Sequence, residues 1–278
     1  METSDRCSSS HYSSPHAVNP VQDSNPFGAI ARFYDWEHAD YDADVPLYVG
    51  FAQRTGGPIL ELACGTGRLM RPLLELGERV VGIDSSGEML AIARRSLDAD
   101  GLLATAALHE ADVRTLALDE RFPLAIFGLD SFGLLETPAD QVAALVRIRE
   151  HLVPGGLLIL DIANGNRRGG EAPDELQLQY AGRDLATGHA RSKWTARSTD
   201  LAEQLDHFTY FYDEVGDDGV VRRSTATLDL RYFGRFELEL LLGQAGLGID
   251  SLYGDYALTP FGNESDRLIA VAYRPAGK

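Results

Sequence analysis

The sequence predicts an α/β fold, in which a mostly parallel sheet carries helices on both faces and an antiparallel β insertion interrupts the chain. Short apolar strands alternate with amphipathic helices from residue 58 to residue 164, and the alternation returns near residue 235. Such alternation is typical of a parallel sheet that is covered on both faces. The intervening stretch of roughly 65 residues alternates polar and apolar residues between tight turns, which indicates antiparallel strands. One large domain with an insertion suits a length of 278 residues.

The elements of the main sheet are predicted in a regular order. One or two helices, marked by aromatic and aliphatic residues at helical spacing, precede the first strand. Seven strands and four helices are then expected: strand 58–63, helix 67–76, strand 79–83, helix 86–97, strand 103–110, strand 124–129, helix 139–151, a strand within 152–164, helix 235–245, and strands 247–253 and 267–273. In the insertion, the sequence GDDG between the last two strands is a hairpin turn signal.

Three predicted regions follow from this order. Residues 1–28 are rich in Ser, His, Asn and Pro and lack the apolar core of a secretion signal, so we expect a flexible leader there. Residues 29–164 and 232–278 together form the predicted main domain. Residues 165–231 form the predicted antiparallel insertion, which begins where the sequence becomes polar and glycine-rich.

Composition argues against several classes of partner. The formal net charge of −17 would repel a phosphate backbone over most of the surface, so we expect no nucleic-acid partner. The apolar runs are far shorter than the roughly 20 residues that cross a bilayer, so we expect no membrane partner. Cys7 and Cys64 are far apart in the sequence, which suggests neither a disulfide framework nor a metal site. We therefore expect a cytoplasmic protein with a small-molecule partner, and the sequence leaves open whether the chain forms a homodimer.

A glycine turn after the first strand is the strongest local signal for a ligand. It lies in ILELACGTGRLM, residues 59–70, where Gly65 and Gly67 allow backbone torsions that other residues avoid and let a ligand approach the main chain. The amide groups at the start of the next helix suit an anionic group. A dinucleotide site would carry a third glycine where Met70 stands, and Glu61 would face its phosphates, so a dehydrogenase is disfavoured. Glu61 instead suits a ligand with a cationic amine and hydroxyl groups.

Two further acidic residues are predicted at the ends of the next two strands. Asp84 can accept hydrogen bonds from both hydroxyls of a ribose. Asp112 can accept a hydrogen bond from the amine of adenine, while Val113 supplies a backbone N–H. Each carboxylate also has a purely structural alternative: Glu61 satisfied by backbone N–H groups, Asp84 as the cap of the next helix, and Asp112 as part of a turn.

Taken together, these segments resemble the class I S-adenosylmethionine (SAM)-dependent methyltransferases. The resemblance covers about residues 29–274 and is carried by LELACGTGRL, VVGIDSSGEMLAIAR, HEADVRTL and HLVPGGLLILDI, in this order and at the usual spacings. It implies a Rossmann-like sheet of seven strands, an insertion that covers the active site, and SAM as the cofactor, with S-adenosyl-L-homocysteine as the product. By similarity, the predicted SAM-binding residues are Tyr34, Glu61, Ala63, Gly65, Gly67, Asp84, Ser85, Met89, Asp112, Val113 and Asp130.

The end of the chain narrows this resemblance. The segment YGDYALTPFGNESDRLIAVAYR looks like the C-terminal part of bacterial small-molecule N-methyltransferases, especially those that act on nucleotide-linked amino sugars and related natural products. In that group a YD motif near the start lines the SAM pocket, and Phe33-Tyr34-Asp35 matches it. One segment departs from the pattern. Where the group often has N-S-F-x-H-L, this chain has DSFGLL at residues 130–135, so a mechanism that uses that histidine cannot be carried over.

The predicted activity is the transfer of a methyl group from SAM to a small-molecule acceptor, with an amine nitrogen favoured. Because an in-line displacement depends mainly on holding the two reactants together in a dry site, a neutral amine needs little further help. An ammonium or a hydroxyl acceptor would need a base, and Asp130, Tyr34 and His207 are the candidate catalytic residues. Two alternatives stay open: methylation of an oxygen, carbon or carboxylate of a natural product, and SAM binding without transferase activity.

Overall fold

The computed structural model describes residues 26–165, 176–185 and 187–277. The predicted leader before residue 26 lies outside the described residues, and so do residues 166–175 and 186 of the predicted insertion. The described residues form two sheets, and helices pack around the larger one. None of the helices in these ranges is long and apolar enough to span a membrane.

The strands of both sheets follow the predicted order along the chain. Within the described residues they are β1 (Ile59–Leu62), β2 (Val80–Asp84), β3 (Ala106–Glu110), β4 (Phe122–Phe127), β5 (Leu152–Ala163), β6 (Gln177–Arg183), β7 (Ala190–Asp200), β8 (Leu205–Val215), β9 (Val221–Arg231), β10 (Gly248–Tyr253) and β11 (Arg267–Tyr273). The larger sheet has seven strands in the order β3-β2-β1-β4-β5-β11-β10. Six of these strands run in the same direction, and β11 runs in the opposite direction. The strand order reverses between β1 and β4. Ligands of open α/β sheets bind at such a reversal, outside the carboxyl ends of the strands.

Local sequence signals account for the helix starts. The helices are α1 (Pro26–Glu37), α2 (Val45–Thr55), α3 (Met70–Glu75), α4 (Gly87–Ala99), α5 (Pro138–His151) and α6 (Arg235–Gln244). The hydroxyl of Ser86 caps α4 by accepting a hydrogen bond from the Met89 N–H at 3.3 Å. The hydroxyl of Thr137 caps α5 in the same way at 3.1 Å, and proline occupies the first turn of that helix.

Two predicted boundaries are wrong in informative ways. The helix predicted at 67–76 is only six residues long: Gly67, with a φ of +82°, lies outside helical torsions, and the helix begins at Met70. The strand predicted at 103–110 begins only at Ala106, because Leu103–Thr105 form a 3₁₀ turn. The glycine turn is therefore longer, and the helix behind it shorter, than the sequence pattern indicates.

Two apolar clusters fill the two faces of the larger sheet. Leu60 and Leu62 of β1 belong to the cluster that packs against α5 and α6. Ile59, on the same strand, belongs to the cluster that packs against α2, α3 and α4. Because side chains alternate between the two faces of a strand, one apolar run supplies both clusters. The complete burial of β1 is what a parallel sheet covered on both sides requires.

The strands β6, β7, β8 and β9 form a separate antiparallel sheet, which we call the cover sheet. Helix α1 packs on it, and the ring of Phe33 stacks on the ring of Tyr212 with centroids 4.6 Å apart. A parallel bridge between Asn164 and Phe233 joins the two ends of the insertion to each other. Gly133, after β4, lies so close to the carbonyl of Arg231 that an added Cβ would come within 2.7 Å of its oxygen. The cover sheet is therefore held against the loop that follows β4.

Candidate active site

A cavity of about 800 Å³ lies between the carboxyl ends of β1, β2, β3 and β4 and the cover sheet. A second cavity of about 240 Å³ adjoins it, between α1, the loop after β4 and strands β7 to β9. Both cavities are lined by Phe27, Tyr34, Ser131, Leu134 and Leu228. They are therefore neighbouring chambers of one site, which we call the larger cavity and the second cavity.

The glycine turn forms one wall of the larger cavity. Ala63 and Gly65 line it, with positive φ values of +52° and +56°. A Cβ added to Gly65 would meet no atom within 4 Å, so the turn presents bare backbone to the cavity. Gly67, by contrast, does not line the cavity; a Cβ added there would lie 3.4 Å from the Cβ of Ala93 on α4. The structure thus gives Gly67 a packing role, where the sequence predicted contact with the ligand.

Glu61 is buried behind this turn with one oxygen unsatisfied. The side chain is 4% exposed, and Oε2 has no hydrogen-bond partner within the described part of the chain. Burial raises the pKa of the carboxyl group to about 8, although the positive charge of Arg68 opposes the shift. The structural alternative, in which backbone N–H groups satisfy the whole carboxylate, is therefore wrong for this oxygen. Among the described residues Glu61 lines neither cavity, but its buried acceptor lacks a donor, and a cationic ligand group that reached it behind the turn would supply one.

Asp84 supports the glycine turn and also lines the larger cavity. Its Oδ2 accepts a hydrogen bond from the Gly65 N–H, and its Oδ1 accepts one from the Ser86 N–H, both at 2.8 Å. Burial raises the pKa of this carboxyl group, and the backbone hydrogen bonds oppose the shift. Ser86, rather than Asp84, caps α4 with its side chain. Each carboxylate oxygen retains a lone pair for a ligand hydroxyl, and Ser85 and Met89 line the same wall.

Asp112 lies at the mouth of the larger cavity and already has a partner. Its carboxylate accepts hydrogen bonds from the guanidinium of Arg114, the shortest at 2.6 Å, and from the Arg114 backbone N–H at 2.8 Å. The Arg114 hydrogen bonds hold the pKa of Asp112 below its usual range. Arg114 also contacts Asp140 at 3.2 Å, on the opposite side of the mouth. Val113 lines the cavity as well, and adenine recognition by this pair stays a prediction.

Two of the three candidate catalytic residues line the site, and one does not. Tyr34 lines both cavities, and burial raises the pKa of its phenol to about 12. Asp130 lines the second cavity, but its Oδ1 accepts from the Ala163 N–H and its Oδ2 accepts from Arg267 at 3.1 Å. His207 lines neither cavity among the described residues.

His207 instead contacts a residue that does face the site. Its Nδ1 lies 2.9 Å from Oδ1 of Asp229, and Asp229 lines the larger cavity. The His207 side chain is 45% exposed at the outer surface of this pair. His207 and Asp229 pair directly across β8 and β9, so both side chains project from the same face of the cover sheet, but only Asp229 reaches the cavity wall, and a catalytic role for His207 stays a prediction.

A buried network holds the loop that connects the two cavities. Asp161 of β5 is fully buried and accepts hydrogen bonds from the hydroxyls of Tyr48 and Tyr256, both at 3.0 Å. It also pairs with Arg267 at 2.6 Å and accepts a longer bond from the Leu129 N–H at 3.3 Å. Leu129 and the residue after it have φ values of +47° and +60°, which non-glycine residues seldom adopt. The network therefore fixes a strained loop at the wall of the second cavity.

The chain matches known methyltransferases. A family profile described as a methyltransferase domain matches residues 59–156. A dTDP-3-amino-3,6-dideoxy-α-D-glucopyranose N,N-dimethyltransferase of Streptomyces fradiae is 35% identical over 141 residues, which are 48% of this chain and 53% of that protein. A cypemycin N-terminal methyltransferase of Streptomyces sp is 29% identical over 79% of this chain and 84% of that protein. The structure of the CcbJ methyltransferase from Streptomyces caelestis superposes with a TM-score of 0.78 at 24% identity, covering 92% of this chain and 100% of the other.

The profile match contains the glycine turn, Asp84 and Asp112, which are the features that build the larger cavity. Residues 59–156 therefore match a methyltransferase domain, and the chain as a whole is similar to SAM-dependent methyltransferases. SAM is the cofactor of these enzymes, and the predicted fold of seven mostly parallel strands with an additional antiparallel sheet is confirmed. The match to the S. fradiae protein spans about half of that relative's length, 53%, so neither its activity nor its acceptor is carried over to this chain here.

The residues around the glycine turn fit SAM. The orphaned Oε2 of Glu61 suits the ammonium of the methionine part, because a buried carboxylate binds a cation more strongly than water does. The bare backbone at Gly65 allows a close approach, and the free lone pairs of Asp84 suit ribose hydroxyls. Among the described residues, no three His, Cys, Asp or Glu side chains come together as a metal-binding group.

The sequence did not reveal the residues that line the second cavity from α1 and the cover sheet. Lys193 of β7 pairs with Glu37 at the end of α1, and the Tyr212 hydroxyl donates to the same carboxylate at 2.7 Å. The Lys193 ammonium also lies 4.2 Å from the ring centroid of Tyr210. His38 completes this wall. Glu37 is 156 positions from Lys193 and 175 from Tyr212, so no spacing or motif could have grouped the α1 residues with those of the cover sheet.

Proposed function

We propose that this methyltransferase transfers the methyl group of SAM to an amine nitrogen of a small molecule. The observation that carries the proposal is the charge of the site. Among the described residues, the wall of the larger cavity includes five carboxyl groups and one guanidinium, and that guanidinium is already paired with two of the carboxylates. Such a wall attracts cations and repels anions.

The crowding of carboxyl groups is visible at Glu136. Burial raises the pKa of this group, and the nearby negative charge of Asp229 raises it further. Both residues line the part of the larger cavity that faces the cover sheet, away from the glycine turn. The negative charge at Glu136 and Asp229 would attract a cationic amine acceptor and repel a carboxylate acceptor.

Some residues of the chain are proposed to bind SAM, and others to hold the acceptor in position. Glu61, Ala63, Gly65, Asp84, Ser85, Met89, Asp112 and Val113 are proposed to hold SAM. When bound, SAM supplies a methyl group on a cationic sulfur, which is the electrophile of the reaction. Tyr34 stands at the joint of the two cavities, and the cover sheet closes the site above it. Holding the acceptor there in a site shielded from water is the main contribution that such a reaction requires.

The relatives support nitrogen as the acceptor atom. The S. fradiae relative is named for N,N-dimethylation of an amino sugar, and the cypemycin enzyme is named for N-terminal methylation. Both acceptors are amines, although one is a sugar nucleotide and the other is a peptide. The shared chemistry is the amine, and we propose that it is shared by this protein.

A binding and turnover experiment tests the proposal. Purified protein is first titrated with S-adenosylhomocysteine by calorimetry. It is then incubated with SAM and a panel that contains dTDP-3-amino-3,6-dideoxy-α-D-glucopyranose, the free amino sugar, a short peptide with a free N-terminus, and matched hydroxyl and carboxylate compounds. We expect binding, and a mass gain of one CH₂ on amine compounds only. Methylation confined to hydroxyl, carbon or carboxylate acceptors would overturn the choice of nitrogen. Binding without turnover of any compound would favour a SAM-binding protein that lacks transferase activity.

Three further expectations stay predictions. The division into residues 29–164 with 232–278 and residues 165–231 would be tested by limited proteolysis of the full chain. A homodimer would be tested by light scattering of the purified protein, and a cytoplasmic location by fractionation of the producing cells.

A further inference from the structure

The second cavity contains a histidine in a precise arrangement. His38 follows α1 directly, and its Nδ1 lies 2.9 Å from the carbonyl oxygen of Tyr34. Its ring stacks on the ring of Tyr34 with centroids 4.1 Å apart, and Tyr41 contacts it edge-on at 6.4 Å. The imidazole therefore cannot rotate without losing a hydrogen bond and a stacking contact.

This hydrogen bond determines the tautomer of the ring. A carbonyl oxygen can only accept, so Nδ1 must carry the hydrogen. In the neutral ring the lone pair then resides on Nε2. Nε2 of His38 has no hydrogen-bond partner among the residues that the structure describes, and the side chain lines the second cavity. The cavity thus contains an oriented imidazole with an available lone pair.

The surroundings keep this ring neutral. Burial lowers the pKa of His38, and the positive charges of Arg68 and Lys193 lower it further, while Glu37 and the Tyr34 carbonyl oppose the shift. Lys193 is itself paired with Glu37, and their charges act on the ring in opposite directions. The charged and titratable groups that face His38 are Tyr34 and Glu37 from α1, Lys193, Tyr210 and Tyr212 from the cover sheet, Arg68 from the glycine turn, Asp130 from the loop after β4, and Tyr41.

No other described group of this cavity is as well placed to accept a proton. Both oxygens of Asp130 already accept hydrogen bonds, one of them from a guanidinium. Glu37 is engaged by an ammonium and by a phenol. Tyr34, with a pKa raised to about 12, keeps its own proton at neutral pH.

We propose that His38 is a catalytic base, whose Nε2 removes a proton from an acceptor ammonium seated in the second cavity. This inference rests on the proposed methylation of an amine. An aliphatic amine with a pKa near that of lysine, about 10.4, is neutral in fewer than about one molecule in a thousand at pH 7, and an ammonium has no lone pair for methyl transfer. In the step at His38 one N–H bond of the ammonium breaks, and its electron pair stays on the acceptor nitrogen. The lone pair of Nε2 forms a new N–H bond, and the resulting imidazolium returns the proton to solvent after the product leaves.

The second cavity, where His38 lies, shares wall residues with the larger cavity. Tyr34 and Ser131 line both cavities, so a group held in the second cavity borders the larger one. The imidazole is stacked on the same Tyr34 that stands at the joint. The proposed base therefore lies against the one side chain, Tyr34, that separates it from the larger cavity.

A spectroscopic experiment tests the base without SAM or acceptor. The full chain is labelled with ¹⁵N, and the two ring nitrogens of His38 are assigned by comparison with a His38→Asn variant. We expect the Nδ1–H tautomer, a neutral ring at pH 7, and a pKa below the ordinary value of 6.5. An Nε2–H tautomer, or a ring that is charged at pH 7, would overturn the proposal. Because this measurement needs no turnover, its failure is distinguishable from failure of the proposed amine methylation.

A kinetic experiment then separates a base from a packing residue. In His38→Asn the amide can still donate to the Tyr34 carbonyl but cannot act as a base, and His109→Asn, at an exposed histidine away from both cavities, is the matched control. With the primary alkylamine of the panel that wild type methylates, we expect kcat of His38→Asn at pH 7 to fall by about 10²- to 10⁴-fold. That rate should climb about tenfold per pH unit toward the pKa of the amine, whereas the rates of wild type and the control level off above the His38 pKa.

Rescue completes the test. An alkoxyamine analogue of the same acceptor, which is already unprotonated at pH 7, should be methylated by His38→Asn at a rate near that of wild type. S-adenosylhomocysteine affinity should change less than about threefold. An equal loss with both acceptors, or a loss of S-adenosylhomocysteine binding, would assign His38 a structural role and overturn the proposal. An unchanged rate with the alkylamine would overturn it as well.

Discussion

The glycine-turn wall and the acceptor wall of this site are built by different means. The glycine-turn wall consists of residues at the ends of adjacent strands, and Gly65 and Asp84 contact each other directly through one hydrogen bond of 2.8 Å. The acceptor wall joins α1 to the cover sheet through Glu37 and Lys193, which are 156 positions apart. Parallel strands bring their carboxyl ends together in any open α/β sheet, whereas only this particular packing brings α1 onto the cover sheet. The first wall is therefore general to the fold, and the second is specific to the chain.

The largest effect is expected at Asp161, which supports the joint between the two walls. Replacing Asp161 with Asn leaves Arg267 buried with less compensating charge, so the free energy of unfolding should fall by about 3 kcal/mol. Chemical denaturation with urea measures this, with Asp98→Asn on the exposed surface of α4 as the control. A loss for Asp161→Asn no greater than that of the control would mean that the two walls are stabilised independently of this network.

The next effect is expected at Glu61, on the glycine-turn wall. Glu61→Gln keeps the shape but cannot become the carboxylate that a cationic ligand group would favour, so affinity for S-adenosylhomocysteine should fall by about 10- to 100-fold, or 1.4 to 2.8 kcal/mol. Calorimetry measures this, with the exposed Glu75→Gln as the control. Stability at pH 7 should not fall, because burial already disfavours the charged form. Wild-type affinity in the variant would show that the orphaned oxygen has no role in binding.

A pH dependence of binding is expected from the same carboxyl group. Its pKa is about 8 in the free protein, so the group is mostly protonated at pH 7, and a cationic ligand that favours the carboxylate should release a proton on binding. Affinity should therefore rise with pH until about pH 8 and then level off. Since the folded pKa lies above the ordinary value of 4.5, the contribution of Glu61 to folding stability is fully present below pH 4.5 and is lost as the pH rises through about 8.

Calorimetry in two buffers with different ionisation enthalpies measures the released proton. Glu61→Gln serves as the control, because it has no proton to release at this position. Equal proton release by wild type and the variant would contradict the assignment.

A smaller effect is expected at Tyr212, on the acceptor wall. Tyr212→Phe removes the hydroxyl that donates to Glu37 at 2.7 Å but keeps the ring stacked on Phe33, so the free energy of unfolding should fall by about 1 kcal/mol. S-adenosylhomocysteine affinity should be unchanged, while KM for the acceptor rises. Tyr273→Phe, at a half-exposed tyrosine outside both cavities, is the control. A change in S-adenosylhomocysteine affinity would show that the two walls are coupled more tightly than their contacts indicate.

The smallest effect is expected at the hairpin between β8 and β9. Arg222 and Asp218 form an ion pair of 2.7 Å in which both side chains are at least half exposed. Solvent and salt screen such a pair, so Arg222→Ala should leave the thermal unfolding midpoint and both ligand affinities unchanged. A clear drop in the midpoint would give the tip of the cover sheet a structural importance that its exposure does not suggest.

The strands of the larger sheet illustrate what the sequence could predict. Each of the seven was placed within a few residues, because an apolar run bounded by turn residues is a local signal. Asp84 and Val113 were predicted on the cavity wall and lie there, since the end of a parallel strand is recognisable without the rest of the fold. Gly67 was predicted on the cavity wall but packs near Ala93 instead, because the same glycine pattern serves a close approach to a ligand or to a helix.

His207 and His38 show where this kind of prediction stops. Both are histidines in segments rich in aromatic residues, and nothing in the sequence ranks one above the other as a base. His207 pairs with Asp229 across β8 and β9 and lines neither cavity, while the end of α1 places His38 at the second cavity, where the Tyr34 carbonyl fixes its tautomer. Which side chain faces a cavity depends on strand register and helix rotation, and both are set by packing against distant elements.

The sequence by itself determined the class of fold, the glycine turn and the carboxylates at the strand ends, because each depends on neighbouring residues and on general rules for parallel sheets. Only the tertiary structure decided which residues form the acceptor wall, why Glu61 is left with an unsatisfied oxygen, and how Asp161 holds the loop after β4. The physical reason is separation along the chain. Contacts between residues more than a hundred positions apart are chosen by the summed packing of the whole molecule, and no single segment carries that information.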